Sequence, residues 1–350
     1  MNFLFLYTEL ADYFIKCCKH LSAHGTVHIV RWPVNKEAPF KFQFSDSIKI
    51  YDKNNFTREQ LKQLLVSISP DVIICSGWID KDYLALVKPW YKKIPTVLAC
   101  DTHWKGSLKQ NIAALLSPFF LRDRFSNAWV PGKPQHDYVR KLGFKEEEIS
   151  TGFYCCDLDK FNELYTKRTN SEKKELPRRF LYVGRYYEFK GLQDLWKAFI
   201  ELQNDSPNEW ELWCLGTGDL HPVVHPKIRH FGFVQPSELE PILEQCSVFI
   251  LPSRFEPWGV VVQEYAACGF PLLLSKEVGA MEAFLEEGVN GFSFAKENVQ
   301  EIKNSLKKII SLDNKQLLDM CGKSHKAAQK ITPEKWTDSL LKIIDGFHKK

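Results

Sequence analysis

The chain has 350 residues, 44% of them hydrophobic, and a formal net charge of +4. This length is sufficient for two domains of ordinary size, each with its own core. The mild, scattered charge argues against a dedicated nucleic-acid binder, and the N-terminal segment reaches Glu9 and Asp12 without the basic start of a signal peptide.

The ten cysteines occur in apolar contexts, and no pair of them has C-x-x-C spacing. This usage argues against a zinc site and against a thioredoxin-like redox motif. The sequence therefore predicts reduced, mostly buried thiols in a cytosolic protein.

Short apolar runs alternate with amphipathic stretches along the chain, which is typical of parallel sheets covered by helices. In the first half, Thr57 with Gln60 predicts a capping box at the start of a helix. The runs that predict strands there are FLFLY (3–7), VHIVR (27–31), DVIICSG (71–77) and TVLACD (96–101).

Residues 105–125 combine basic side chains with an apolar centre that carries Phe119, Phe120 and Phe125. The cations are Lys105, Lys109, Arg122 and Arg124. Such a segment can lie in a membrane interface, so one interpretation is a peripheral contact with an anionic membrane. The other interpretation is a core helix that is broken at Pro118 and has solvated ends.

The polar stretch 166–179 has no apolar periodicity and predicts a surface linker before the second half. Ser237 with Glu240 predicts another capping box, and Thr332 followed by Pro333 predicts a helix start. The predicted strands of the second half are RFLYVG (179–184), ELWCLG (211–216), IRHFGFV (228–234), SVFILP (247–252) and FPLLLS (270–275).

The turn after the first of these strands carries two cations. Gly184 allows close backbone approach, Arg185 follows it, and Lys190 with Gly191 opens a predicted helix. Guanidinium and ammonium groups beside the positive end of a helix suit a diphosphate. The alternative is an ordinary surface loop with solvated charges.

A second polar site lies in RFEPWGVVVQEYAACGFPLLL (254–274), where Glu256 and Glu264 interrupt an apolar run. A buried carboxylate requires partners. Sugar hydroxyls would satisfy both groups, with Glu264 in the first turn of a helix and Glu256 in the loop before it. The alternative is that each carboxylate pairs with an arginine of the fold, and Arg254 is nearby.

Together these segments resemble the C-terminal domain of the family 4 (group 1) retaining glycosyltransferases of GT-B fold. The resemblance rests on G-R-x4-K-G at residues 184–191 and on E-x7-E within F-E-P-x-G at Glu256 and Glu264. LWCLGTGDL, HFGFVQPSELEPILEQCSVFILPS and EEGVNGFSF also agree with the family pattern. The similarity covers about residues 150–300 and is highly specific.

The resemblance implies that Arg185 and Lys190 hold the donor diphosphate, that Glu264 holds the ribose, and that Glu256 contacts the donor sugar near the reacting centre. Family members also place a histidine facing the donor sugar, and His103 in ACDTHWKG is the candidate here. The implied donor-binding set is Gly184, Arg185, Lys190, Gly216, Glu256, Gly259, Val260, Val261 and Glu264.

The first half resembles the family less. The loop YTELADYF after the first strand lacks the glycines that the family usually has there. His103 has a structural alternative, a strand-end histidine satisfied by Asp101. Asp157-Leu158-Asp159 imitates the metal motif of a different glycosyltransferase fold, and we interpret it as a coincidence because the Arg185/Lys190 pair would neutralise the diphosphate without a metal.

The resemblance implies two Rossmann-like, doubly wound α/β domains that face each other across a cleft. Residues 1–157 would form the acceptor-side domain, residues 158–331 the nucleotide-sugar-binding domain, and residues 332–350 a helix that crosses back to the first. The implied reaction moves a hexose from a nucleoside diphosphate sugar, by family prior a UDP-sugar, to an acceptor hydroxyl with retained anomeric configuration.

The acceptor expected for such an enzyme is a glycan or a lipid-linked sugar of cell-surface polysaccharide synthesis, used in the cytoplasm or at the inner face of the membrane. No metal and no further cofactor are expected. Two alternatives stay open: a nucleotide-sugar epimerase or phosphorylase of the same fold, and a nucleotide-sugar-binding subunit without turnover. The glycine-free loop after the first strand keeps the second alternative open.

Overall fold

A computed structural model describes residues 1–34, 44–169 and 175–349. These residues form two compact units, one made of residues 1–157 with 331–350 and the other of residues 158–330. The predicted linker 166–179 lies partly outside the described residues, and its first residues belong to a helix.

The first unit is built on a parallel sheet with the strand order β3-β2-β1-β4-β5-β6-β7. Its strands are β1 Asn2–Tyr7, β2 Thr26–Arg31, β3 Ile48–Asp52, β4 Val72–Ser76, β5 Thr96–Ala99, β6 Asn127–Trp129 and β7 Ile149–Ser150. The four strands that the sequence predicted are confirmed. Strands β3, β6 and β7 were not predicted, because they are short or polar and lack a continuous apolar run.

Helices cover both faces of this sheet. They are α1 Asp12–Leu21, α2 Arg58–Ile68, α3 Lys81–Val87, α4 Leu108–Phe120 and α5 Lys133–Lys141. The predicted capping box is confirmed at α2, where Thr57 Oγ1 accepts from the Gln60 amide at 3.3 Å and Gln60 Oε1 accepts from the Thr57 amide at 2.8 Å. Two orphan amide groups at the helix start are thereby satisfied.

Helix α4 continues through Pro118, so the interpretation of a helix broken at this proline is wrong. Proline has no N–H group, which would leave the Ala114 carbonyl without its helical donor. The Ser117 hydroxyl oxygen lies 3.1 Å from that carbonyl oxygen and 2.7 Å from the Leu142 carbonyl oxygen, so its one proton is shared between two acceptors. This side chain explains how the helix tolerates the proline.

The second unit has a parallel sheet with the strand order β10-β9-β8-β11-β12-β13. Its strands are β8 Arg179–Val183, β9 Glu211–Leu215, β10 Ile228–His230, β11 Val248–Leu251, β12 Leu272–Ser275 and β13 Gly291–Phe294. The five predicted strands are confirmed. Strand β13 was not predicted, because its sequence GFSF was interpreted as part of a glycine-containing turn.

The helices of this unit are α6 Leu158–Thr169, α7 Leu192–Asp205, α8 Glu240–Leu243, α9 Val260–Ala267, α10 Met281–Phe284, α11 Val299–Ile310 and α12 Asn314–Ala328. The capping box predicted at Ser237 and Glu240 is wrong in position. Gln235 and Glu238 form it instead, at a short 3-10 helix that precedes α8. The prediction of doubly wound parallel sheets is confirmed for both units.

The final helix, α13 Pro333–His348, belongs to the first unit. It begins as predicted, with Thr332 Oγ1 accepting from the Lys335 amide at 3.3 Å. Trp336 is buried, and its Nε1 donates to the Phe153 carbonyl at 2.6 Å. The first core is therefore completed by residues distant in sequence.

All ten cysteines are free thiols with buried side chains, which confirms the prediction from their apolar contexts. Burial raises the pKa of Cys214 to about 12, because the thiolate would lose its hydration. The Cys214 thiol therefore stays protonated and behaves as a small hydrophobic group.

Candidate functional site

The strand order of the second unit reverses between β8 and β11. The chain runs outward from β8 to β9 and β10, then returns to β11 and continues outward to β12 and β13. In doubly wound sheets such a reversal opens a crevice at the carboxyl ends of the strands. Doubly wound sheets bind ligands at such a switch point.

The loops after β8 and β9 are held together at two glycines. Val183 and Leu215 pair at the ends of the two strands, so Gly184 and Gly216 follow side by side. A Cβ at Gly216, whose φ is +130°, would lie 2.0 Å from the Gly184 carbonyl oxygen. The Tyr186 amide then donates to the Thr217 carbonyl at 2.8 Å. This close approach requires glycine at position 216.

The two predicted cations flank one aromatic pair in the loop after β8. The Arg185 guanidinium lies 5.7 Å from the ring centre of Tyr187, and Lys190 Nζ lies 5.5 Å from that of Phe189. The Tyr187 and Phe189 rings stack with centres 5.7 Å apart. Arg185 is exposed, whereas Lys190 is half-buried. The loop thus carries one exposed positive charge, on Arg185, and one half-buried positive charge, on Lys190.

Lys190 and Glu256 form an ion pair in the crevice. Lys190 Nζ lies 2.5 Å from Glu256 Oε2, and the two side chains are 15% and 12% exposed. The Ser253 hydroxyl donates to the same carboxylate oxygen at 3.2 Å. The structure therefore brings together one predicted cation and one predicted carboxylate that lie 66 positions apart in the chain.

The sequence left open that Glu256 pairs with the nearby Arg254, but Arg254 pairs with other carboxylates. Its guanidinium makes two hydrogen bonds to the Asp194 carboxylate, at 3.0 and 3.2 Å, and reaches Glu188 at 3.2 Å. Its amide donates to the Phe189 carbonyl at 2.8 Å. Arg254 thereby ties the loop after β11 to α7 and to the loop after β8.

Helix α9 begins at this site with Val260, and Val261 follows it. Gly259 precedes them with a φ of +90° and has no side chain to cap the helix. A Cβ at Gly259 would lie 3.0 Å from Glu256 Cγ, so the glycine leaves room for that carboxylate. The Val262 amide donates to the Gly259 carbonyl at 3.0 Å. The amides of Val260 and Val261 precede it in the first turn, where helices commonly bind phosphate groups.

Glu264 lies in the second turn of α9, so its placement in the first turn was wrong. Its neighbours Gln263 and Tyr265 are buried, whereas Glu264 is half-buried. The side chain of Gln263 anchors the helix, because its Nε2 donates to the Ala328 carbonyl at 3.0 Å. Glu264 therefore projects from a fixed helix, but the favourable interaction with the helix dipole that was expected for it is lost.

His103 lies in the first unit, in the loop after β5, whereas the other candidate residues lie in the second. Its carbonyl accepts from Gln110 Nε2 at 2.7 Å, which connects the loop to α4. The Asp101 carboxylate accepts from the Tyr154 hydroxyl at 3.1 Å. The proposed role of His103 toward a donor sugar stays a prediction.

Two features of the site were missed by sequence reasoning. Ser253 was not considered, although a serine three residues before a carboxylate can donate to it. The Arg254–Asp194 pair was also missed, although an acid in the first turn of α7 and a base after β11 are compatible with a contact. Ser253 and Arg254 follow the carboxyl end of β11, and this position was the sequence signal that could have identified them as site residues.

The acidic motif at the domain boundary has a structural partner. Asp157 lies 3.4 Å from Lys16 Nζ in the first unit. Among the residues that the structure describes, no group of three or more His, Cys, Asp or Glu side chains is arranged to hold a metal ion. The expectation that the diphosphate is bound without a metal stays a prediction.

Helix α4 presents an apolar face to solvent. Leu108, Leu115 and Phe119 are 76–77% exposed, and Ile112 and Leu116 are about half exposed on the same face. Their spacing of three and four residues is that of one helical stripe. Phe125, by contrast, is buried in the core of the first unit.

The four cations of residues 105–125 differ in their surroundings. Lys105 and Lys109 are exposed. Arg122 makes two hydrogen bonds to Glu148, at 2.9 and 2.8 Å, and Arg124 contacts Asp123 and donates to the Phe120 carbonyl at 2.7 Å. The two arginines thus have structural partners, and the exposed positive charge of the segment comes from its lysines.

Within the described ranges, no helix combines the length and the apolar character needed to cross a membrane.

Comparison with known proteins relates this architecture to one family. Residues 177–311 match the group 1 glycosyl transferases. A glycogen synthase of Mycobacterium tuberculosis is 29% identical over 143 residues, which are 38% of this chain and 34% of that protein. The chain thus spans about a third of the length of the first curated relatives it matches.

Two further proteins are similar over most of their length. The N,N'-diacetylbacillosaminyl-diphospho-undecaprenol alpha-1,3-N-acetylgalactosaminyltransferase of Campylobacter jejuni is 24% identical over 81% of this chain and 79% of its own. The crystal structure of Anabaena HepE in complex with UDP superposes with a TM-score of 0.72 at 14% identity, covering 99% of this chain and 100% of that one. At this identity the structural likeness establishes the fold alone.

Proposed function

Because this chain is a group 1 glycosyltransferase of GT-B fold, we propose that it transfers a hexose from a nucleoside diphosphate sugar to an acceptor hydroxyl with retention of anomeric configuration. The observation that carries the proposal is the Lys190–Glu256 pair at the switch point of the second sheet. A cation suited to phosphate and a carboxylate suited to hydroxyl groups lie together at the edge where such sheets bind nucleotides, which supports the proposal.

The chemical problem of this transfer is charge separation at the glycosidic bond. Positive charge develops at the anomeric carbon, and negative charge develops on the departing diphosphate. Arg185, Lys190 and the first amides of α9 would stabilise the diphosphate as the bond breaks. Glu256 and His103 would orient the sugar, and Glu264 would bind the ribose. The acceptor hydroxyl would then attack on the face that the diphosphate leaves, with the leaving phosphate taking its proton.

The donor is proposed to be a UDP-sugar. The relatives support this choice, since Anabaena HepE was crystallised with UDP. A thermal-shift panel of UDP, GDP and ADP with their hexose esters tests it, because a ligand that binds only the native state raises the melting temperature by mass action. We expect one base to stand out, and at a concentration of 100 Kd it would add about 2.7 kcal/mol to stability.

Variants distinguish binding at this site from binding elsewhere. Arg185→Ala and Lys190→Ala should abolish the shift, because each removes a cation from the diphosphate. Arg178→Ala is the matched control, since Arg178 is an exposed cation of the same unit paired with Glu209 at 3.2 Å. A shift that survives both site variants would place the nucleotide elsewhere.

The reaction itself is tested by following release of the free nucleoside diphosphate from the selected donor. Transfer requires an added acceptor, so release should depend on an extract that contains glycans and lipid-linked sugars. An epimerase would instead convert the donor sugar without any acceptor. A subunit without turnover would bind the donor and release nothing with any extract.

The acceptor is proposed to be a glycan or a lipid-linked sugar, reached at the cytoplasmic face of an anionic membrane. The exposed apolar face of α4 supports this part, together with the absence of acidic residues from 102 to 122 and the exposed Lys105 and Lys109. Apolar area and basic charge both favour binding to an anionic interface. The Campylobacter relative, which is named for an undecaprenol-linked substrate, supports the same choice.

Vesicle sedimentation tests the membrane contact. Leu115→Ser with Phe119→Ser should reduce sedimentation with anionic vesicles, and Lys105→Gln with Lys109→Gln should reduce it further at low salt. Val66→Ser is the control, because Val66 is an apolar side chain of α2 that is 69% exposed. Unchanged sedimentation of the α4 variants would remove this part of the proposal.

A further inference from the structure

The Lys190–Glu256 pair occupies the two groups that the proposed donor needs. Lys190 is assigned to the diphosphate and Glu256 to the sugar, yet their charged atoms lie 2.5 Å apart. Each side chain is less than one-sixth exposed, so solvent screens the pair weakly. Binding of a phosphate therefore competes with a contact that already exists.

The backbone on both sides of the pair is held in place. The Arg254 amide donates to the Phe189 carbonyl at 2.8 Å, one residue from Lys190. The Gly279 amide donates to the Glu256 carbonyl at 3.0 Å, and the Glu256 amide donates to the Glu277 carbonyl at 3.3 Å. Because both segments are tethered, the two charged groups can separate only by rotation of the Lys190 or Glu256 side chain. A carboxylate that loses its cation there keeps a poorly hydrated charge.

The two possible ligands differ in what they offer Glu256. A nucleoside diphosphate sugar brings hydroxyl groups that can donate to the carboxylate while its phosphates take Lys190. A free nucleoside diphosphate lacks the hexose hydroxyls and carries more negative charge on its terminal phosphate, while its ribose is assigned to Glu264. If the ammonium group contacts carboxylate and phosphate together, the two anions repel each other. If it moves to the phosphate, Glu256 is left without its cation.

We infer, resting on the proposed function, that the Lys190–Glu256 ion pair makes the site select a nucleoside diphosphate sugar over the free nucleoside diphosphate. Glu256 thus has two roles. It contacts the sugar of the donor, and it weakens binding of the free nucleoside diphosphate that is the product. After transfer the sugar hydroxyls are gone, the pair re-forms, and the diphosphate is released. Ser253 assists by donating to Oε2 of Glu256 and holding it toward Lys190.

The test measures dissociation constants by calorimetry for the wild type and for Glu256→Gln. UDP, GDP and ADP are titrated first, and the tightest is then compared with its glucose, galactose and mannose esters. We expect Glu256→Gln to bind the free diphosphate about tenfold or more tighter, since coupling energies of close charge pairs are of that size or larger. The affinity of Glu256→Gln for the tightest hexose ester should increase less than its affinity for the free diphosphate, or should decrease.

Glu188→Gln is the matched control. Glu188 lies in the same loop as Lys190 and is paired with Arg254, so this variant removes one negative charge near the site without touching the Lys190 contact. It should change the affinity for the diphosphate less than about twofold, as expected for an exposed charge. Glu256→Ala serves as a second variant, and circular dichroism verifies that each variant is folded.

The outcomes separate this inference from the proposed function. Lys190→Ala should weaken binding of the diphosphate; if it does not, or if no nucleotide binds the wild type, the donor site itself is misassigned. If Lys190→Ala weakens binding but Glu256→Gln and Glu256→Ala bring no gain, or bring an equal gain for diphosphate and ester, the selectivity inference is wrong and the donor site stands.

Discussion

At the scale of single residues, Arg254 connects three segments around the candidate site. Its guanidinium contacts Asp194 at the start of α7, Glu188 in the loop after β8, and Glu297 just before α11 at 3.4 Å. Arg254 and Asp194 are 22% and 15% exposed, so this pair is more enclosed than an ordinary surface ion pair. Loss of one partner would leave the other charge poorly solvated.

Arg254→Ala is therefore expected to lower the free energy of unfolding by about 2 kcal/mol, less than for a fully buried pair because solvent still reaches the site. Urea unfolding measures this change. The same substitution in an Asp194→Ala background should cost much less, since the carboxylate is already absent. Arg178→Ala, whose pair with Glu209 is exposed, should cost less than about 0.5 kcal/mol. Equal costs for both arginines would contradict this account.

His230 makes the stability of the second unit dependent on pH. Burial lowers its pKa below the ordinary value of 6.5, although the Val223 carbonyl, an acceptor 3.1 Å from Nε2, acts in the opposite direction. Nδ1 lies 2.9 Å from the Tyr186 hydroxyl. The folded state thus takes up its proton at lower pH than the unfolded state does.

The sign of the effect follows from this order of protonation. Above pH 6.5 both states are neutral at His230 and no penalty exists, and the penalty grows as pH falls from 6.5 through the lower folded-state pKa. We expect His230→Gln to lose stability less steeply than the wild type between about pH 7 and about pH 5. Urea unfolding at a series of pH values measures both slopes, and parallel slopes would exclude this role for His230.

At the scale of elements, the site depends on how closely the start of α7 approaches the end of β11. Gly191 has a φ of +66°, and a Cβ at this position would lie 2.1 Å from the Pro252 carbonyl oxygen. Glycine is therefore required both by the backbone conformation and by the contact. This approach brings Lys190 next to the loop that carries Glu256.

Gly191→Ala is expected to destabilise the protein and to weaken nucleotide binding, because the added methyl group must push α7 away from Pro252. Gly232→Ala separates the two causes. Gly232 also has a positive φ, +71°, but a Cβ added there would meet nothing within 4 Å. It should show only the conformational cost of about 1 kcal/mol. Thermal melting with and without nucleotide measures both effects, and equal losses would contradict the steric argument.

Much of the architecture could be predicted from the sequence, because buried parallel strands are continuous apolar runs. Runs such as FLFLY and SVFILP predict strands without ambiguity, whereas the edge strands β7 (Ile149–Ser150) and β13 are too short or too polar to stand out. Lys190 and Glu256 were predicted as site residues from local motifs. Their direct contact was not predicted, because the register of loops 66 positions apart depends on packing that no local pattern encodes.

At the scale of the whole molecule, the first unit is discontinuous in sequence. Its core includes Trp336, Leu340, Ile343 and Ile344 from α13, together with Phe3 and Phe5 from β1. The Trp336 ring lies 4.7 Å from that of Trp129 and 6.1 Å from that of Phe5. The last helix thus covers the sheet of a unit whose other residues end at position 157.

Trp336→Ala is expected to lower the free energy of unfolding by about 3–5 kcal/mol, the usual cost of truncating a buried aromatic side chain. The cavity would face β1 and β6, and the Phe153 carbonyl would lose its indole donor. Hydrogen exchange should therefore accelerate first in the amides of β1. Asp338→Ala, at an exposed position of the same helix, is the control and should change stability by less than about 0.5 kcal/mol. If Trp336→Ala leaves exchange in β1 unchanged, α13 contributes little to this core and the unit is defined by residues 1–157 alone.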